Sequence, residues 1–128
     1  GIDSLKQDNK YRVFQYTGRV DKMKNSQRLT QAWIREVIDR GAGEIVLNCM
    51  NQDGMRQGYD IEQLQIMRAQ STIPFIASGG AGCMQDFLTV FQEANVDGAL
   101  AASVFHTQTI HIPALKQFLL QNKIEIRP

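Results

Sequence analysis

Two short apolar segments, each ending in small residues, constrain the fold of this chain more than any other feature. Residues 76–82 read Ile-Ala-Ser-Gly-Gly-Ala-Gly, and residues 99–105 read Ala-Leu-Ala-Ala-Ser-Val-Phe. Each is followed by a helical pattern, as happens where a buried parallel strand passes into a loop and then into a helix. Glycine and serine at such a transition allow backbone N–H groups to surround a phosphate. The two segments therefore predict neighbouring parallel strands with a phosphate site between them.

Four other segments have the apolar spacing of amphipathic helices. The first starts at Thr30, a candidate N-cap, and the second covers residues 61–69 behind a capping box that starts at Asp60. The third contains the apolar residues of positions 87–91, and the last starts near Pro113, a residue that suits a first helical turn. These helices alternate with strand-like segments along the chain.

The predicted strands cover residues 44–48, 74–78 and 97–102, with apolar residues on both faces, as expected of parallel strands buried under helices. Residues 1–3 read as the end of a further strand that begins upstream, which indicates part of a longer protein. Four parallel strands alternating with helices make half of a (β/α)8 barrel. We therefore predict an α/β fold of the (β/α)8 TIM-barrel type, with residues 1–128 as a single domain that forms the C-terminal (β/α)4 half-barrel.

The segment between the first two strands is less regular. Alternating polar and apolar residues at 11–16 predict a short exposed strand that pairs with residues 2–3 through the turn-prone residues 7–10. Residues 17–28 are polar, carry mixed charge and contain a glycine. We predict that this second segment is a mobile active-site loop.

Composition and charge exclude several classes of function. The net charge is +1 and the basic residues are scattered, so we expect neither nucleic-acid nor membrane binding. No apolar run has the length of a membrane span. Cys49, Cys83, His106 and His111 lack metal-ligand spacing, so we expect no metal and no other cofactor. The cysteine usage favours a reduced, intracellular protein, and we predict a cytoplasmic location.

Several ordered motifs resemble one known family. They are Gly-Ala-Gly-Glu-Ile at 41–45, Asn-Gln-Asp-Gly at 51–54, Gly-Tyr-Asp at 58–60, Ala-Ser-Gly-Gly-Ala-Gly at 77–82 and Ala-Leu-Ala-Ala-Ser-Val-Phe-His at 99–106. In this order and spacing the chain resembles, over essentially its whole length, the C-terminal half of HisF, the cyclase subunit of imidazole glycerol phosphate synthase. The ProFAR isomerase family shares the half-barrel plan and a Ser-Gly-Gly turn, but the last two motifs favour the cyclase.

The resemblance implies an enzyme of histidine biosynthesis, a lyase that performs a cyclisation. In that family ammonia adds to the phosphorylated ribulosyl intermediate PRFAR, and the products are imidazole glycerol phosphate and AICAR. The ammonia comes from a glutaminase subunit, HisH, and travels through the barrel from the opposite face. The resemblance therefore implies HisH as a heterodimer partner and PRFAR as a small-molecule substrate.

Asp3 is the candidate catalytic residue. It stands near the end of a predicted strand, at the face where barrel enzymes work, and it matches the family's catalytic aspartate of strand five. A positioned carboxyl suits the proton transfers of imine formation and ring closure. A loop-capping role is the alternative from the residues alone. The family's partner carboxylate stands at the end of strand one, so this chain carries half of the expected acid–base pair and its activity in isolation is in question.

One residue at the end of the next predicted strand and one just past it are candidate substrate contacts. Asn48 ends that strand and points into the same mouth, although a structural hydrogen bond is an equal alternative. Asp53 matches a family aspartate close to the substrate, where it would orient the ligand. A turn aspartate before Gly54 is the competing interpretation.

The candidate phosphate site has two walls. Ser78, Gly79 and Gly80 form one, and Ala102 and Ser103 form the other. A sharp strand-to-helix turn is the structural alternative for the glycines, but matching turns after adjacent strands favour phosphate. The resemblance implies that a second phosphate binds in the other half of the barrel.

Glu44 begins a predicted strand and therefore lies at the opposite face. It matches a charged residue of the ring that gates ammonia entry at the bottom of the family's barrel. If buried, such a carboxylate needs a cationic partner, whereas a solvated glutamate at a strand start is the alternative.

Two other functions fit the same residues. A paralogue of the cyclase would keep the phosphate turns while delivering ammonia to another phosphosugar or glycan precursor. A non-catalytic half-barrel would bind phosphate and self-associate through its free strand edges, for instance as a dimer that imitates the full barrel.

Overall fold

The computed structural model describes residues 1–128 without a gap and contains six strands and five helices. In chain order these are β1 (Ile2–Gln7), β2 (Lys10–Gln15), β3 (Lys24–Leu29), α1 (Thr30–Asp39), β4 (Ile45–Cys49), α2 (Ile61–Arg68), β5 (Phe75–Ser78), α3 (Met84–Ala94), β6 (Gly98–Leu100), α4 (Ser103–His106) and α5 (Ile112–Gln121). None of the helices combines the length and the apolar character that crossing a bilayer requires.

All six strands belong to one sheet with the order β3-β2-β1-β4-β5-β6. Strands β1, β4, β5 and β6 run parallel to one another and are neighbours in the order in which the chain visits them. Right-handed crossovers that always step in the same direction place their helices on one face of the sheet. Accordingly α1 packs on α2, α2 on α3, and α3 on α5. This single winding direction is that of a barrel rather than a doubly wound sheet, and the predicted half-barrel arrangement is confirmed.

The four longer helices, α1, α2, α3 and α5, form where the apolar spacing predicts them. The Asp60 carboxylate accepts a hydrogen bond from the Gln63 backbone N–H at 3.1 Å and caps α2 as expected. Asn95 ends α3 in the left-handed conformation, and Pro113 lies in the first turn of α5. The inner faces of the helices and strands form one cluster of 21 buried apolar residues.

That cluster dominates the energetics of the fold. A fully buried leucine, isoleucine or phenylalanine contributes about 1.5–3 kcal/mol, and Ile34, Leu47, Leu64 and Phe75 are all completely inaccessible to solvent. The five ion pairs of the chain involve exposed or partly exposed side chains, and surface pairs contribute about 0–1 kcal/mol each. Apolar packing between the sheet and the helix layer therefore holds the site-bearing strand ends in place.

The N-terminal hairpin is confirmed, but its first strand is longer than predicted. β1 does not end near Asp3; it continues to Gln7 because β2 pairs with it in antiparallel register. Asp8 and Asn9 connect the two strands with positive φ angles of 52° and 60°, as a two-residue type I′ turn requires.

The prediction that residues 17–28 form a mobile loop is wrong for the second half of that segment. Lys24–Leu29 form β3, which pairs with β2 at the edge of the sheet. The Ser26 hydroxyl donates to the Val13 carbonyl at 2.7 Å and adds to this pairing. Most of its side chains are exposed, so the segment lacks the apolar alternation by which a strand is recognised.

Thr30 is not an N-cap, in contrast to the prediction. Leu29 occupies the cap position, and Thr30 is the first residue of α1. The Thr30 hydroxyl is buried and forms a hydrogen bond of 2.8 Å with the Ser4 hydroxyl of β1. The threonine therefore ties the helix to the sheet, a role that depends on a partner 26 residues away.

Smaller differences concern the strand ends. β4 runs one residue later than predicted, from Ile45 to Cys49, so that Glu44 precedes the strand. β6 ends at Leu100 because residues 103–106 form the short helix α4, which the sequence did not predict.

Candidate active site

A row of polar side chains lies near the point where the parallel pairing of the strands ends, on the face opposite the helices. Asp3 of β1 is in register with Asn48 of β4, and Asn48 with Ser78 of β5. Two residues earlier in β4 and β5, Val46 and Ile76 are paired and form an apolar row on the same face. The sheet thus places three of the predicted site residues side by side above an apolar floor.

The Asp3 carboxylate is oriented by two uncharged donors. Asn48 Nδ2 donates to its Oδ1 at 2.9 Å, and the Thr17 hydroxyl donates to its Oδ2. None of the ion pairs of the chain includes Asp3. An ionised carboxylate accepts about four hydrogen bonds, so two acceptor positions remain for a ligand. The arrangement suits a group that takes a proton from, and returns it to, a bound molecule.

A cavity of about 150 Å³ lies beside this row. Water occupies about 30 Å³ per molecule in the liquid, so the cavity has room for a phosphate group. It brings together Ser78, Gly79 and Gly80 from one predicted wall with Ala102 and Ser103 from the other. The remaining lining residues are Asp53, Gly54, Arg56, Ala81, Leu100 and Ala101.

Two glycines allow the wall after β5 to approach its neighbours. Gly79 has φ +95°, and a Cβ there would lie 2.9 Å from the Cys49 carbonyl oxygen. Gly80 has φ +114°, and a Cβ there would lie 2.1 Å from the carbonyl oxygen of Gly58. In turn the Gly58 N–H donates to the Gly80 carbonyl at 2.8 Å. The loop after β4 is therefore pressed against the loop after β5, and both contribute to the cavity.

Backbone donors remain free around the cavity. The N–H groups of Gly79, Gly80 and Ala102 donate to no acceptor within the protein. Each is therefore available to donate a hydrogen bond to a ligand. By contrast, the N–H groups of Gly82 and Cys83 both donate to the Asp86 carboxylate, at 2.8 and 2.9 Å. The N-terminus of α3 is thus closed by its own acidic residue, and the free donors lie in the loops before it.

Two residues of the site were missed by the sequence analysis. Arg56 lines the cavity, and its Nε donates to the Ser103 hydroxyl at 3.2 Å. Thr17 holds Asp3 from the loop between β2 and β3. Arg56 could have been predicted as a site residue, because it is the single arginine between Gly54 and Gly58 in a loop that follows a buried strand. Nothing local marks Thr17, since its partner is 14 residues away.

Tyr59 holds the end of β6, where Leu100 lines the cavity. Its hydroxyl donates to the Leu100 carbonyl at 3.0 Å, and its ring meets Phe87 edge-on at 5.7 Å. Burial, together with the nearby Asp86 carboxylate, raises the pKa of Tyr59 far above its ordinary value. The phenol therefore stays protonated and keeps donating to Leu100 well into the alkaline range.

The other titratable candidates are separate from the site. Glu44 is exposed before the amino end of β4, at the opposite end of that strand from Asn48 and Asp3, and has no ion-pair partner. Burial raises the pKa of the Cys49 thiol strongly, so it is no nucleophile. No group of three or more His, Cys, Asp or Glu side chains is placed to hold a metal ion.

Comparison with known proteins places the chain in a family. The family model described as histidine biosynthesis protein matches residues 1–111. The imidazole glycerol phosphate synthase subunit hisF1 of Vibrio vulnificus (strain YJ016) is 58% identical over 99% of this chain and 50% of its own length. The HisF subunits of Vibrio campbellii (strain ATCC BAA-1116) and Pseudoalteromonas translucida (strain TAC 125) are 57% and 56% identical over the same shares.

The chain spans about half the length of the curated relatives that it matches. The match nevertheless covers the strands, the helices and every loop that lines the cavity, because only about one residue in a hundred of this chain lies outside it. On these grounds the chain belongs to the histidine biosynthesis protein family, in which it is a homologue of the HisF subunits of imidazole glycerol phosphate synthase.

Proposed function

We propose that this chain is the C-terminal half-barrel of a cyclase that converts PRFAR and ammonia into imidazole glycerol phosphate and AICAR. The observation that carries the proposal is the polar row from Asp3 through Asn48 to Ser78, which leads into the cavity. A carboxylate stands at one end of this row, and unpaired backbone donors stand at the other. A phosphorylated ligand anchored in the cavity would extend its reacting atoms along the row toward Asp3.

The proposed roles follow from the chemistry of each group. Asp3 acts as general acid or base on the nitrogen and oxygen atoms of imine formation and ring closure. Asn48 holds the carboxylate and contacts the substrate with its remaining amide atoms. Asp53 accepts a hydrogen bond from a ligand hydroxyl at the rim of the cavity.

Phosphate binding is assigned to the two walls of the cavity. The backbone N–H groups of Gly79, Gly80 and Ala102 are free to donate to phosphate oxygens, and the hydroxyls of Ser78 and Ser103 add side-chain donors. Charge-free donors of this kind are already in position, so binding requires little reorganisation of the loops.

The complete enzyme needs groups that this chain does not carry. We assign the second carboxylate of the acid–base pair, and the second phosphate site, to the other half of a barrel. A glutaminase subunit would supply ammonia from the amino ends of the strands, where Glu44 is exposed and free to pair with cations of the gating ring. We place the assembly in the cytoplasm, in line with the two unpaired thiols of Cys49 and Cys83.

The test of this function is formation of imidazole glycerol phosphate from PRFAR and ammonium. The chain is co-expressed with the half of the Vibrio vulnificus subunit that it does not match, and turnover is compared with that of Asp3→Asn. General acid–base groups contribute about 10²–10⁴-fold to rate, and we expect a loss of that size. Asp39→Asn, at an exposed helix position without a hydrogen-bond partner, is the matched control. Equal turnover of wild type and Asp3→Asn would remove Asp3 from the mechanism.

A second candidate is a phosphate-binding half-barrel that self-associates. It is favoured by the outer edge of β6, whose backbone has no neighbouring strand. An unpaired parallel edge invites pairing with another chain. Sedimentation of the chain with and without the complementary half distinguishes the two proposals. A cyclase half should form a complex with the complementary half, whereas a self-associating half-barrel should remain an oligomer of this chain alone.

A further inference from the structure

The cavity has an uneven distribution of charge. Asp53 and Arg56 are its only charged lining residues, and they carry opposite signs. The helix that follows the glycine wall adds little positive potential, because Asp86 occupies the N–H groups of Gly82 and Cys83. A phosphate dianion entering the cavity would therefore meet one carboxylate, and the guanidinium of Arg56 is the only full positive charge available to offset it.

The guanidinium of Arg56 is available to a ligand. It forms no ion pair with any carboxylate of the chain. Of its five N–H donors, the Nε donor contacts the Ser103 hydroxyl at 3.2 Å. The terminal nitrogens remain free, and their planar fork matches two oxygens of one phosphate. Because the Ser103 oxygen accepts from Arg56, the Ser103 hydroxyl proton is free to donate a hydrogen bond to the same ligand.

The backbone of Arg56 is held in place although its side chain is exposed. Its φ is +54°, and a Cβ on Gly82 would lie 2.2 Å from its carbonyl oxygen. Two residues later in the same loop, the Gly58 N–H donates to the Gly80 carbonyl at 2.8 Å. The base of the arginine is thus fixed to the glycine wall, so ligand binding orders the side chain but does not have to order the loop backbone.

We propose that Arg56 is the residue that makes this cavity select a phosphate monoester dianion over a singly charged anion. This assignment rests on the proposed phosphate site and adds a specificity determinant to it. The backbone donors bind oxygens of either ligand equally, whereas the second negative charge interacts with Arg56 on one side and with Asp53 on the other. Removal of Arg56 leaves the repulsion by Asp53 uncompensated.

The test compares methyl phosphate, a dianion near pH 8, with dimethyl phosphate, a monoanion, by calorimetric titration at low salt. Charge-assisted hydrogen bonds contribute about 1.5–3 kcal/mol, so we expect Arg56→Gln to weaken methyl phosphate binding by about 10–100-fold. Dimethyl phosphate binding should be weakened less, by about 3–10-fold, because Arg56 attracts its single charge with about half the Coulomb energy. Arg56→Lys keeps the charge but not the fork, and should retain the preference at reduced affinity.

Arg35→Gln is the matched control, because Arg35 is an exposed arginine of α1 that forms no ion pair and lies outside the cavity. It should bind both ligands as wild type does. If Arg56→Gln keeps the preference for methyl phosphate, the inference is wrong, while the phosphate site itself stands. If wild type binds neither ligand, the phosphate site and the inference both fall. A purely structural arginine would weaken both ligands alike.

Discussion

Replacement of Gly80 by alanine should destabilise the protein through two separable effects. At φ +114° a residue with a side chain is strained by about 1–3 kcal/mol. The added Cβ would also lie 2.1 Å from the Gly58 carbonyl oxygen, well inside contact distance. Overpacking of this kind typically costs about 1–3 kcal/mol. We therefore expect Gly80→Ala to lower the free energy of unfolding by about 2–6 kcal/mol, against a total of about 5–15 kcal/mol for a natural domain.

Two other glycines separate the contributions. Gly41 has φ +95° but no atom within 4 Å of an added Cβ, so Gly41→Ala reports the backbone strain alone. Gly82 has no positive φ, but its Cβ would lie 2.2 Å from the Arg56 carbonyl oxygen, so Gly82→Ala reports the overlap alone. The loss for Gly80→Ala should approach the sum of the other two, because Gly80 combines the positive φ of Gly41 with the close contact of Gly82.

The assay is equilibrium unfolding in urea, followed by circular dichroism and extrapolated linearly to water. The slope of each transition shows whether a variant also changes the surface exposed on unfolding. Gly80→Ala should in addition lose methyl phosphate binding in its folded fraction, because the loop after β4 must move away from the wall. A Gly80→Ala protein no less stable than Gly41→Ala would refute the reasoning, since the contact with Gly58 would then have no cost.

Two further predictions concern titratable groups. In the native chain a thiol reagent should modify exposed Cys83 quickly and buried Cys49 only after unfolding, because burial raises the pKa of the Cys49 thiol; two equally fast thiols would contradict the packing of β4. Burial, with smaller contributions from Asp60 and Glu62, raises the pKa of Tyr11 from 10.0 to about 12. Between these values the unfolded chain loses a proton that the folded chain keeps, so the free energy of unfolding should fall as pH rises from 10 to 12. Tyr11→Phe should flatten this slope in urea titrations at a series of alkaline pH values, and an unchanged slope would count against the assignment.

Elements whose signals are local were predictable from the sequence. Asp60 caps α2 through its own neighbour three residues on, and the apolar spacing that follows defines the helix. The parallel strands are continuous apolar runs with turn residues at both ends, so β4 and β5 were found within one residue of their bounds. The two walls of the cavity were predictable because each lies in the loop directly after such a strand.

Elements whose partners are distant in the chain were not predictable. β3 consists of mostly polar, exposed residues and is a strand only because β2 lies beside it. Thr30 has the side chain of an N-cap residue, but its hydroxyl forms a hydrogen bond with Ser4 of β1 instead. Arg56 belongs to the cavity because its backbone is pressed on Gly82, a contact between two loops that no spacing within either loop reveals. In each case the deciding contact is tertiary.

The one-directional order of the parallel strands has a consequence for how such a protein can be divided. In a doubly wound sheet the first strand lies in the middle, so a cut in the chain opens the core from its centre. Here β1, β4, β5 and β6 follow one another across the sheet as they do along the chain. Any contiguous stretch of strand–helix units is therefore also a contiguous arc with its own covering helices. A gene encoding this architecture can be split, duplicated or recombined between units, and each piece keeps an intact share of the core.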